Sequence, residues 1–168
     1  MRHILETERL QLRELTHADA AFIIDLLNSP GWLAFIGDRN VHNEAQAIGY
    51  MENGPIKSYA QNGYGLFMVM LKESQTPIGI CGIINRDILA HPDIGFALLP
   101  EYAGQGYAFE MANATLKYAK ETLNLPKILA IVLPNNPHSI RLLEKIGLKQ
   151  EGVFVYPDSE EELLMYGG

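Results

Sequence analysis

The segment Leu98-Leu99-Pro100-Glu101-Tyr102-Ala103-Gly104-Gln105-Gly106-Tyr107-Ala108 restricts this chain more than any other. Before it, Asp93 to Leu99 has the length and apolar content of a strand, closed by Pro100. After it, Ala108, Met111, Ala112, Leu116 and Ala119 fall at helical spacing from Tyr107 to about Leu123. Two glycines therefore sit where a strand turns into a helix. Glycine lets the backbone turn tightly there and come close to a ligand. The first amides of the helix lack carbonyl partners and carry the positive end of its dipole, which suits a phosphate or pyrophosphate. A turn that only starts a helix would read the same way. A dinucleotide fingerprint would need a third glycine where Phe109 stands, and an acidic residue about 20 positions past Gly104. A P-loop would need Lys followed by Ser or Thr after the glycines. The chain has neither.

A second punctuated segment runs from Asn136 to Leu148. Asn136 is an N-cap, Pro137 the first helical position, Ile140, Leu143 and Ile146 an inward stripe, and Gly147 the stop. Each of these residues has a sufficient structural role, including Ser139 in the first turn.

The rest reads as one domain spanning 1–168, with no repeat, linker or low-complexity tract. Arg9 to Arg13 alternates polar with apolar, as a half-buried strand does. Thr16-His17-Ala18-Asp19 is a capping box that opens a helix carrying Phe22, Ile23, Leu26 and Leu27, and Pro30-Gly31 stops it. A second helical region starts near Asn43-Glu44, breaks around Gly54-Pro55 and finishes by Asn62-Gly63. Leu66 to Leu71 and Ile78 to Ile84 form a hairpin across the polar Lys72 to Thr76. Ile128 to Leu133 is a buried strand, and Lys149 to Tyr156 and Glu161 to Tyr166 are two more. The expected fold is α+β, with about seven strands in a single mixed, mostly antiparallel sheet and helices flanking it.

Composition removes several classes of function. The 168 residues carry a net charge of −7, which argues against a general nucleic-acid binder. No apolar run approaches the roughly 20 residues of a membrane span, and charge follows Met1 too soon for a signal peptide. The single cysteine, Cys81, lies in an apolar stretch and reads as a small buried hydrophobe. These features lead us to expect a cytoplasmic protein without a membrane or nucleic-acid partner, either monomer or homodimer, and no metal site.

Taken together, the two punctuated segments resemble the GNAT superfamily of N-acetyltransferases, and the resemblance covers nearly the whole chain. The family's Gly-x-Gly-x-Ala/Gly signature is similar to Gly104, Gly106 and Ala108. A longer form, Pro-x-Tyr-Trp-Gly-x-Gly-Tyr-Ala-x-Glu, belongs to the branch that includes ribosomal-protein N-terminal acetyltransferases. It matches Pro100 to Glu110 with Ala103 in place of tryptophan. That branch's Asn-x-x-Ser and Glu-Lys-x-Gly-Phe elements match Asn136 to Leu148, with Leu148 for phenylalanine. Glu8 to Arg13 looks like its first strand.

The resemblance implies a GNAT acetyltransferase-like fold in which Asp93 to Leu99 and Ile128 to Leu133 splay apart around acetyl-CoA. It implies main-chain contacts from Gly104, Gln105, Gly106, Tyr107 and Ala108 to the pyrophosphate, and from Leu98 and Leu99 to pantetheine. Asn136 and Ser139 would face the pantetheine arm and the thioester sulfur. Lys145 or Arg141 would meet a coenzyme phosphate or stand in solvent. The activity implied is acetyl transfer to a primary amine, on a small molecule or a peptide or protein N-terminus; a coenzyme-binding module without catalysis is the other reading.

An alkyl ammonium must lose a proton to attack, and the departing thiolate benefits from a donor. Asp93 is the candidate base, with Asp158 second, and Ser139 the candidate donor, because Leu143 stands where many relatives carry tyrosine. Asp38 and Arg39 are expected to recognise the acceptor, while Trp32 and Phe35 pack against the sheet.

Overall fold

The computed structural model describes residues 2–168. Eight strands form one sheet: β1 (His3–Glu6), β2 (Leu10–Arg13), β3 (Leu66–Leu71), β4 (Pro77–Ile84), β5 (Asp93–Leu98), β6 (Leu129–Val132), β7 (Lys149–Phe154) and β8 (Leu163–Gly167). Their spatial order is β1-β2-β3-β4-β5-β6-β8-β7, and every neighbouring pair is antiparallel except β5 with β6. This is the expected mixed, mostly antiparallel sheet, with one strand more than the seven expected. The extra strand, β1, is a four-residue edge whose first and last residues are exposed, so it shows little alternation.

Six helices cover the sheet: α1 (Ala20–Leu27), α2 (Pro30–Phe35), α3 (Glu44–Asn53), α4 (Pro55–Asn62), α5 (Tyr107–Glu121) and α6 (Pro137–Lys145). The chain does not leave helix at Pro30-Gly31 for good. Ser29 is an N-cap and Pro30 the first position of α2, so the proline that closes one helix starts the next. Asp19 accepts the Thr16 amide at 2.8 Å, as the capping box requires, and also grips the Arg13 guanidinium at 2.8 and 2.9 Å. That buried pair ties the end of β2 to the entry of α1.

Both faces of the sheet are buried, which is why β3 and β4 read as continuous apolar runs. Phe67 and Val69 pack on the side of Met111, Ala112 and Leu116 of α5 and Leu143 of α6. Met68 and Met70 pack on the other side, with Ile23, Leu26 and Leu27 of α1 and Met51 of α3. Fully burying one such side chain stabilises by about 1.5–3 kcal/mol before entropy is counted. No helix among the described residues is long and apolar enough to cross a membrane.

Candidate active site

β5 and β6 run parallel and share a single register pair, Asp93 with Leu129. The Leu129 amide donates to the Pro92 carbonyl at 2.9 Å, and beyond that point the strands part. Each remains fully laddered on its other side, β5 to β4 and β6 to β8. The facing edges therefore present main-chain groups to a gap. A cavity of about 790 Å³ fills that gap and continues past the start of β5 towards α2 and α3.

One end of the cavity is built by the glycine turn and α6. Gly104 and Gly106 have φ of +76° and +85°, the left-handed region that non-glycine residues avoid. Gly106 is the N-cap of α5 and supplies no side-chain cap, so the first-turn amides of that fifteen-residue helix are left for another partner. Gly104 and Ala108 line the cavity, as do Ala103 and Phe109. Gln105, Gly106 and Tyr107 lie outside its lining.

Their surroundings show a brace that sequence reasoning missed. Arg9 donates to the Gln105 carbonyl at 3.0 Å, and its guanidinium lies 4.3 Å from the centre of the Tyr107 ring. Glu110 receives Arg9 Nε at 2.7 Å, the Arg9 amide at 2.9 Å and the Thr7 hydroxyl. These bonds hold the Glu110 carboxyl below the usual range despite its partial burial. The connection between β1 and β2 thus fixes the turn from behind.

Across the gap, Asn136 caps α6. Its Oδ1 receives the Ser139 amide at 3.3 Å and its Nδ2 donates to Ser139 Oγ at 3.0 Å. The Ser139 hydroxyl accepts that bond and keeps its own proton to donate. Asn136, Ser139, Arg141, Leu143 and Lys145 line the cavity, and the Lys145 ammonium sits 4.3 Å over the Phe109 ring. Leu98 lines it too. Leu99 does not: its amide donates to Ile78 at 2.8 Å and its carbonyl accepts Tyr102 at 3.1 Å. Its amide is therefore taken, and its carbonyl, which has a second lone pair, already accepts one bond.

The other end gathers side chains from distant parts of the chain. Asp93 is 1% exposed, so it is no solvent-facing strand end. Burial pushes its carboxyl up to about 6, against the opposing pull of Arg86, whose Nε lies 3.0 Å from Asp93 Oδ1. Arg86 also donates to the Tyr156 hydroxyl at 3.2 Å. Tyr50, Arg86, Arg39 and Trp32 line this end, and sequence reasoning had singled out neither Tyr50 nor Arg86.

Asp38 and Arg39 separate here. Arg39 lines the cavity, whereas Asp38 accepts the Asn40 amide at 2.8 Å in a local turn. Trp32 packs into the core as expected, but Phe35 is 37% exposed at the cavity mouth. Asp158 lies in an exposed turn outside the cavity lining, whereas Tyr156, two residues earlier, meets the site through Arg86. Cys81 is buried, donates to Thr115 Oγ1 at 3.3 Å, and its thiol is pushed up to about 12 by burial. It is outside the cavity and inert there. Among the described residues no group of His, Cys, Asp and Glu could hold a metal ion.

Residues 9–149 match the family described as "Acetyltransferase (GNAT) domain". An uncharacterized N-acetyltransferase of Bacillus subtilis is 31% identical over 152 residues, 89% of this chain and 85% of that protein. Spermidine N(1)-acetyltransferase of Vibrio cholerae is 27% identical over 149 residues, 88% of this chain and 83% of that protein. The crystal structure of an acetyltransferase from Agrobacterium tumefaciens superposes with a TM-score of 0.83 at 30% identity, covering 100% of this chain and 94% of the other.

Proposed function

The chain belongs to the GNAT acetyltransferase family, and on that premise we propose that it passes the acetyl group of acetyl-CoA directly to a primary amine while both are bound. The observation that carries this reading is the single cavity, which joins the strand gap and glycine turn to a buried carboxylate. A thioester lying in the gap and an amine beside Asp93 would meet within one enclosure.

The residues present suit both substrates. The parted edges of β5 and β6 offer a pantetheine amide the hydrogen bonds a neighbouring strand would make. The bare first turn of α5 suits the pyrophosphate. Asp93 carries most of its negative charge at pH 7, so it accepts a proton from the ammonium, directly or through water. The freed nitrogen lone pair attacks the thioester carbonyl carbon. A main-chain amide of the opened β5 edge stabilises the oxygen that takes up the charge. Collapse breaks the carbon–sulfur bond, and Ser139 donates to the departing thiolate. The ammonium gives up two protons in all, one to Asp93 before attack and one from the nitrogen of the tetrahedral intermediate. One ends on the coenzyme thiol by way of Ser139, the other leaves to solvent, and no covalent acetyl-enzyme is formed.

Two measurements test this. Acetyl-CoA at a hundred times its dissociation constant should stabilise the fold by about 2.7 kcal/mol, seen as a raised melting temperature. Dephospho-coenzyme A and NAD serve as controls. Thiol release on adding an amine then reports turnover. Coenzyme binding with no release for any amine would leave the chain a binding module, and no binding at millimolar acetyl-CoA would remove the donor site altogether.

A further inference from the structure

The charge lining the cavity has the opposite sign to the charge on the protein. The chain as a whole is −7, yet the cavity is lined by Arg39, Arg86, Arg141 and Lys145 against one carboxylate, Asp93. Arg141 and Lys145 stand on α6, at the end suited to an anionic coenzyme. Arg39 and Arg86 stand at the other end, where no coenzyme phosphate accounts for them. Of these two, Arg86 is engaged by Asp93. Arg39 makes no ion pair among the described residues.

Hydrogen-bonding capacity is just as one-sided. Trp32 is 6% exposed and lines the cavity, and its indole Nε1 is buried with no hydrogen-bond partner. An indole nitrogen only donates, and leaving such a donor buried and unmet is costly. The guanidinium of Arg39 also only donates. Tyr50 lies close enough to Arg39 and Arg86 for both charges to act on its hydroxyl, against a larger effect of burial. Arg39, a free cation, thus lines the same cavity as a carboxylate that is already paired.

Resting on the acetyltransferase reading above, we infer that the acceptor is an amine that also bears a carboxylate, of amino-acid size. Its ammonium approaches Asp93, while its carboxylate takes the Arg39 guanidinium. Guanidinium pairs with carboxylate through two parallel bonds, a geometry no amine can supply. A polyamine would bring several positive charges to a wall with one carboxylate, itself neutralised by Arg86. The acceptor named for the Vibrio cholerae relative is therefore disfavoured for this chain.

The test uses matched acceptors: L-methionine and L-phenylalanine, their carboxamides, the corresponding decarboxylated amines, and spermidine. Thiol release should show kcat/KM for the carboxylates at least about tenfold above their amides, the discrimination expected of a charge-assisted hydrogen bond. Arg39→Gln should raise the acceptor KM for the carboxylates by about tenfold, leaving the amides and the acetyl-CoA KM unchanged. A separate arm needs no turnover. With coenzyme A present, N-acetylmethionine should raise the melting temperature more than its carboxamide does. Equal or better use of the amides or spermidine, or equal stabilisation by the two acetylated products, would overturn the inference. Failure of the transferase reading looks different: no thiol release from any amine, whatever the product-binding arm shows.

Discussion

At one end of the cavity a ligand meets mostly main chain; at the other it meets side chains. The glycine turn offers backbone whose positive φ only glycine holds comfortably, and Arg9 and Glu110 brace it from behind. The opposite end is assembled from Trp32 on α2, Tyr50 on α3, Arg39 in the loop between those helices and Arg86 after β4. Main chain can serve one ligand under many sequences, provided the turn survives. Side chains on separate elements can change one at a time. The comparison teaches which half of such a protein should be shared with relatives and which should set its own chemistry.

That division can be broken by experiment, and Asp93 should give the largest effect. Asp93→Asn should lower kcat by about a hundredfold or more, the usual contribution of a positioned base, while the acetyl-CoA melting shift persists. Its pH dependence sharpens the assignment. The carboxyl must be ionised to take a proton, so wild-type kcat/KM should fall as pH drops through about 6. An acid limb that survives Asp93→Asn at the same pH would remove Asp93 as the base. Next, Ser139→Ala should reduce kcat by about tenfold, modestly because a thiolate of pKa about 8.5 is already a fair leaving group. Gly106→Ala forces a side chain into left-handed backbone, with its Cβ 3.2 Å from Arg9. It should destabilise by about 1 kcal/mol or more and raise the acetyl-CoA KM, leaving acceptor KM alone. If the acceptor KM moved instead, the two ends would not be separable. Smallest is Asp38→Asn: an exposed turn residue outside the cavity should shift stability by less than about 0.5 kcal/mol and no KM at all.

The end made of main chain was also the legible end. Strand, glycine turn and helix from Asp93 to Leu123 announce themselves by local punctuation, as do Asn136, Pro137 and Gly147, because caps and positive-φ turns act within a few residues. Leu99 escaped that logic. Its neighbours, not its own type, occupy its amide and put one bond on its carbonyl. Strand β1 was missed because a short edge strand buries too little to alternate, and α2 because Pro30-Gly31 carries a stop signal and a start signal together. Arg86 and Tyr50 gave no signal. An arginine in the connection after β4 and a tyrosine on α3 acquire a role only when the sheet brings them to Asp93 and Arg39. Arg9 and Glu110 lie 101 residues apart, so their pairing was likewise invisible, although both stood inside the matched segments.

The single register pair between β5 and β6 also bears on the life of the protein away from its chemistry. An ordinary open sheet has two edges, and natural sheets keep edges short, charged or covered, because an unpaired edge is a template for another chain. This sheet has four: β1 and β7 at its margins, and the facing sides of β5 and β6 within. The inner two cannot be blunted with lysine or proline without losing the gap. On the acetyltransferase reading proposed above, a pantetheine arm laid along them like a strand would cover them. Supply of that coenzyme would then set how long the inner edges stand open as well as how fast the enzyme turns over, and a starved protein would be the more adhesive one.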